Sequence, residues 1–164
     1  MTRRDMLLGA AAAGAMPGAA GGDEIARLIE RTTVSEVAFL RGEMDRYLSL
    51  NSHADDYTLM SPFGGPTRRG FDTSPARLAE LSRYFRGGSG TVDVEHTYAS
   101  DQLVVVAMIA RLRGTVGGLP EQDWNLRVTQ VFRRDSPGWR VVHRHADFLL
   151  RKISLEQAAA LTRG

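Results

Sequence analysis

Apolar and polar residues alternate most strictly between Asp123 and Leu150, DWNLRVTQVFRRDSPGWRVVHRHADFLL, which predicts two long strands joined by a tight turn. The turn is Asp135-Ser136-Pro137-Gly138, four turn formers in a row. Trp124, Leu126, Val128, Gln130 and Phe132 point one way, and Asn125, Arg127, Thr129, Val131 and Arg133 the other. After the turn, Trp139, Val141, His143, His145 and Asp147 share one face; Arg140, Val142, Arg144, Ala146 and Phe148 share the opposite one. Neither face is purely apolar. The spacing fits both a sheet curved around a partly polar pocket and an ordinary half-solvated hairpin.

Upstream the period lengthens. Ile25, Leu28, Ile29, Thr32, Val37 and Leu40 recur at helical spacing from Asp23 to about Arg41. Gly42 breaks this helix, and Glu43 to about Leu50 predicts a short second one, with Asn51-Ser52-His53 as its end loop. Asp56 to Ser61 reads as a strand, Pro62 to Pro66 as a turn, and Thr67 to Gly70 as a short returning strand. Ser74-Pro75 opens a third helix whose buried stripe is Leu78, Leu81 and Phe85, and Gly87 to Gly90 ends it as a flexible link. Thr91 to Tyr98 and Gln102 to Arg113 predict two more strands, Gly114 to Pro120 a loop, and Ile153 to Leu161 a weak helix or frayed tail. Helices first and strands last make an α+β order. With no internal repeat and a length that suits a single domain, residues 21–164 are expected to form one domain.

Residues 1–20 fall outside this scheme. Arg3-Arg4 precede an apolar, Ala/Gly-rich run that ends in the small residues Gly18-Ala19-Ala20. This layout predicts a cleaved twin-arginine export signal and a periplasmic or secreted protein, against the alternative of a floppy tail. The run is shorter than the roughly 20 apolar residues that span a bilayer, so no stable membrane insertion is expected after cleavage.

Composition narrows the chemistry. In 164 residues, 21 basic against 19 acidic side chains leave +2, too even a balance to imply a nucleic-acid partner. The absence of cysteine excludes disulfides, thiolate catalysis and Cys-ligated zinc. His53, His96, His143 and His145 lack HExxH spacing, so neither a metal nor a cofactor is expected. His143 and His145 share a strand face and suit a general base with a partner, a metal pair, or donors to an anion; the alternative is a pair of half-exposed histidines on the outer or dimer face. A turn centred near Ser136 sets His143 opposite Thr129 and His145 opposite Arg127, a cation that would keep the imidazole neutral. Arg111 and Arg127 make an anion site if they face a pocket, and solvated charges if they face out. Trp124 and Tyr57 are expected as pocket walls or plain core. Asp55-Asp56 offers a carboxylate base or loop solvation.

Two stretches carry a resemblance. EVAFLRGEMDRYLSLNSHADDYTLMSPFGG resembles the front half of nuclear transport factor 2-like domains. LRVTQVFRRDSPGWRVVHRHADF resembles the final hairpin of their SnoaL-like and kinase-association-type members. The resemblance covers roughly Ile25 to Leu150. It implies a cystatin-like cone: three N-terminal helices packed in a strongly curved antiparallel sheet, a pocket at the wide end, and a homodimer through the outer sheet face. MIARLR matches a strand bearing a pocket arginine in the association domain of calcium/calmodulin-dependent protein kinase II, which points to Arg111; the next positions match Thr129 and Ala146, so that triple-arginine site is not carried over whole. Tyr47 and Asp55-Asp56 fall in the regions where ketosteroid isomerase-like members place a tyrosine and an aspartate base, but no acidic donor matches on the late strands.

The resulting expectation is an exported protein that binds a small, partly apolar molecule, anions included, through Tyr47, Tyr57, Arg111, Trp124, Arg127 and His145. One alternative is a cofactor-free isomerase, dehydratase or cyclase with His143 or Asp56 as base. The other is a dimeric assembly domain with a vestigial pocket.

Overall fold

The computed structural model describes residues 21–163, so the export signal expected at residues 1–20 lies outside the described residues. Helix α1, Gly22–Leu40, opens with Asp23 and Glu24 in its first turn, where negative charge meets the positive end of the helix dipole. Its buried side includes Leu28, Thr32, Ser35, Glu36 and Leu40. The Thr32 and Ser35 hydroxyls donate to Leu28 O and Thr32 O, both at 2.8 Å, which removes the penalty of burying them. Gly42, at φ 74°, turns the chain into α2, Met44–Leu50; a Cβ there would stand 2.3 Å from Phe85 O. Helix α3, Pro75–Tyr84, has proline in its first turn, and the Ser74 hydroxyl accepts the Arg77 N–H.

The strands are β1 His53–Met60, β2 Arg68–Arg69, β3 Phe85–Ala99, β4 Leu103–Val116, β5 Gln122–Asp123, β6 Leu126–Asp135 and β7 Gly138–Phe148. They form one sheet in the order β2-β1-β7-β6-β4-β3, with β5 on β4. Even-numbered residues of β4 from Val104 to Leu112, together with Leu126, Val128 and Phe132 of β6, meet Leu28, Leu40 and Tyr57 in the core. The helices occupy this concave side, as expected of an α+β cone. A last short helix, α4 (Leu155–Leu161), is held by a Ser154/Gln157 capping box and buries none of its residues. Among the described residues no helix is long and apolar enough to cross a membrane.

Three local expectations are corrected. The sheet is antiparallel except where β1 lies parallel to β7. These two strands are joined by residues 61–137, so no hairpin dictates their direction. Second, the run Gly87 to Gly90 is part of β3 and not a link. The glycines let the strand pass close to its neighbours: a Cβ on Gly88 would meet Leu40 at 3.0 Å, and one on Gly90 would meet Arg111 O at 2.6 Å.

The third correction reaches the site. Next to the turn the hairpin pairs Asp135 with Gly138 and Phe132 with Val141, but then Val131 pairs with His143. Val142 is the extra residue of a β-bulge. The turn, centred between Ser136 and Pro137, shifts the expected register by one place and the bulge by one more, so His145 faces Thr129 and Asp147 faces Arg127. The bulge also reverses the alternation: Trp139 and Val141 are buried before it, and Ala146 after it. Arg144 and Phe148 share the Ala146 face and turn inward, while His143 and His145 turn outward.

Candidate functional site

The wide end of the cone holds a chamber of about 800 Å³. Phe39 and Leu40 of α1, Leu112 and Val116 of β4, Leu126 of β6 and Phe148 of β7 supply apolar wall. Helix α1 repeats Leu28, Thr32, Glu36 and Leu40 at four-residue intervals, and this stripe carries a carboxylate into the chamber. Opposite stands Arg144, aimed inward by the bulge. Its Nε donates to Glu36 Oε1 at 3.1 Å and its Nη2 to Oε2 at 2.8 Å. The two side chains are only 16% and 8% exposed, so each charge depends on the other for compensation. Burial works against the Arg144 charge, but the Glu36 charge and hydrogen bonds outweigh it and hold the guanidinium pKa above its usual value.

Two tyrosines stand beside the pair. Burial pushes the Tyr57 hydroxyl up to about 12 and the Tyr47 hydroxyl well above its ordinary value, so both stay protonated at neutral pH. The Tyr47 hydroxyl shares a 3.0 Å hydrogen bond with His53 Nε2. The His53 ring stacks on Phe71 at 4.2 Å between centroids, and burial lowers its pKa to about 4. Among the described residues the Tyr57 hydroxyl has no hydrogen-bond partner, although the residue is only 2% exposed. It is therefore a neutral donor free to meet an acceptor inside the chamber. Both Glu36 oxygens accept from Arg144.

At the mouth, Phe63 stands edge-on to Trp124 (6.1 Å) and to Phe148 (5.6 Å). Trp124 is fixed by its Nε1–H donating to Gly114 O at 3.0 Å. Arg68 and Arg69 of β2, Asp72, and the ion-paired Arg77 and Glu80 of α3 complete the rim.

Of the residues singled out from sequence, Tyr47, Tyr57 and Trp124 line the chamber. The others are placed elsewhere, and their expected inward orientation is corrected. Arg111 lies on the convex side, 2.9 Å from Asp93. Arg127 reaches Asp147 at 3.7 Å on the same side. Both occupy positions that alternate with the buried residues of β4 and β6, so period two sends them out. Asp56 faces out to Arg133, whose hydrogen bonds hold its carboxyl below the usual range. His143 Nδ1 meets Thr58 Oγ1 at 2.8 Å on the outer face, with its pKa lowered by partial burial and by His145. His145 lies 3.6 Å from Asp147. Asp55 is fully solvated beside Arg140. Among the described residues no cluster of three or more His, Asp or Glu gathers as a metal would require.

Sequence reasoning missed Glu36, Arg144, His53 and Phe71. Glu36 had a signal, a charge on a four-residue apolar ladder. Arg144 had none, because the bulge that turns it inward leaves no mark in the alternation.

The model of the SnoaL-like domain matches residues 37–150. Among solved structures, the CaMKII hub homology domain of Chlamydomonas reinhardtii aligns with a TM-score of 0.57 at 20% identity, covering 77% of this chain and 98% of that one. A candidate dehydratase of the NTF2-like family from Streptomyces avermitilis aligns at 0.57 and 21%, covering 79% and 96%. An NTF2-like protein from Rhodospirillum rubrum, of unknown function in nutrient uptake, aligns at 0.55 and 23%, covering 78% and 100%. These likenesses concern the fold. A search of curated proteins finds no match.

Proposed function

The chain belongs to the SnoaL-like domain family, and from that membership and the chamber we propose that it binds a small, largely apolar molecule inside the cone. The observation that carries the reading is a space of about 800 Å³, within the size range of small-molecule sites, walled by apolar and aromatic groups. Its deep polar groups are engaged with one another except for the Tyr57 hydroxyl. A ligand that buries an apolar body and offers one acceptor to Tyr57 fits this inventory. We place the protein outside the cytoplasm, with residues 1–20 as its export signal and residues 21–164 as one domain; the support is Arg3-Arg4 followed by the apolar run.

The neutral fluorophore N-phenyl-1-naphthylamine tests the chamber. It is expected to bind at one saturable site and to lose that site in Leu59→Trp, which fills the chamber from β1. Binding unaffected by Leu59→Trp would place the probe elsewhere and overturn the reading.

An enzymatic reading with His143 or Asp56 as base draws no support from the geometry, since neither lines the chamber. A homodimer through the outer sheet face has an observation in its favour. Tyr98, 61% exposed, continues across β4 and β6 into Val105 and Val131, an apolar row on the convex side.

A further inference from the structure

Four arginines line the chamber: Arg68, Arg69, Arg77 and Arg144. Two are already answered by carboxylates, Arg144 by Glu36 within and Arg77 by Glu80 at the rim. Arg68 and Arg69 have no acidic partner among the described residues. The register separates them. Arg69 pairs with Thr58, whose hydroxyl is on the outer face, whereas Arg68 pairs with Leu59, which lines the chamber. Directly opposed residues of an antiparallel pair share a face, so Arg68 stands on the chamber side.

The deep guanidinium is closed to an incoming anion. Reaching Arg144 would mean displacing Glu36 and leaving a nearly buried carboxylate without compensation. The rim is different. Arg68 and Arg69 against Asp72 leave one net positive charge in partial contact with water, where a second charge is not stripped of its hydration. Between the rim and the interior stand Phe63, Trp124 and Phe148.

Resting on the reading of the chamber as a binding site, we infer that its ligands are amphipathic organic anions whose apolar body enters first and whose carboxylate or sulfonate stays at the mouth on Arg68. Arg68 is thus a specificity-determining residue. Arg69 adds to the local field without direct contact. A molecule with its charge at the buried end is rejected by the Glu36–Arg144 pair.

The test compares two fluorophores that share one aromatic body, 1-anilinonaphthalene-8-sulfonate and the uncharged N-phenyl-1-naphthylamine. The readout is the ratio of their affinities, in the parent and in Arg68→Gln, at low and high salt. Arg68 is exposed, so Arg68→Gln is expected to fold. The preference for the sulfonate is expected to fall about two- to fivefold in Arg68→Gln, and the parent's preference to shrink as salt rises. An unchanged ratio in Arg68→Gln, with both probes still bound, overturns this inference and leaves the chamber reading intact. Failure of both probes to bind the parent removes the two together.

Discussion

The last strands of the sheet carry charge on both faces, and the faces differ in what the charge does. Outside, Arg111–Asp93, Arg127–Asp147 and Arg133 between Asp56 and Asp135 form a ladder of ion pairs that water reaches from above. Such pairs are well hydrated with or without each other, so each contributes little. On the helix side, among the described residues, Arg134 meets Glu24 of α1 at a margin about a third exposed, while Arg144 with Glu36 is the deep pair, at 16% and 8% exposure, with little hydration to replace a lost partner. The same residue types on the same strands thus act as solubilising decoration on one side and as a fixed constraint on the other. Hydration, more than the number of charges, separates the two.

The comparison can be broken most forcefully from within. Arg144→Met strands Glu36 and is expected to cost about 3–5 kcal/mol, read by urea denaturation at pH 7. The double change Glu36→Gln/Arg144→Met is expected to recover most of that loss; if Arg144→Met costs no more than an exposed pair, the two faces are alike. Next comes His53. Burial keeps it neutral in the folded state down to about pH 4, while the unfolded chain takes up the proton near 6.5. The unfolded state therefore binds more protons across that window. Stability falls as pH drops from about 6.5 to about 4, by up to about 3 kcal/mol from this group, and the contribution levels off below. His53→Phe, measured against the parent at pH 7 and pH 4.5, is expected to lose this part of the slope; equal slopes would mean that water reaches the ring. The smallest effect on folding belongs outside. Val131→Arg on the convex row is expected to change monomer stability by less than about 0.5 kcal/mol. If the outer face pairs with a second copy, sedimentation velocity shows a dimer in the parent and a monomer in this variant. A parent that sediments as a monomer removes the dimer.

How much of this was legible follows from range. The helices, the long hairpin and the α+β order were readable because their signals are local: a helical stripe in α1, Ser74-Pro75 at the start of α3, strict alternation in β6. Alternation left Tyr57 and Trp124 open between pocket wall and plain core, and it is the packing around them that sets both at the chamber. The orientation of β7 was not readable. Alternation says which residues share a face but not which face is inside, and a bulge cancels even that beyond Val142. Gly87 to Gly90 misled in a different way. Glycine marks both flexible links and close backbone approaches, and only the neighbours Leu40 and Arg111 O decide between them.

The bulge at Val142 has a consequence for how this hairpin can vary. Between Trp139 and Phe148 the parity of the chain is fixed, because the segment must present odd positions to the interior at its start and even ones at its end. One residue inserted or removed there would exchange the imidazoles for the guanidinium across the sheet, and only a second, compensating change within the same ten residues would restore the frame. Relatives that keep the ion pair should therefore tolerate length variation at the Ser136-Pro137 tip and after Phe148, and almost none between.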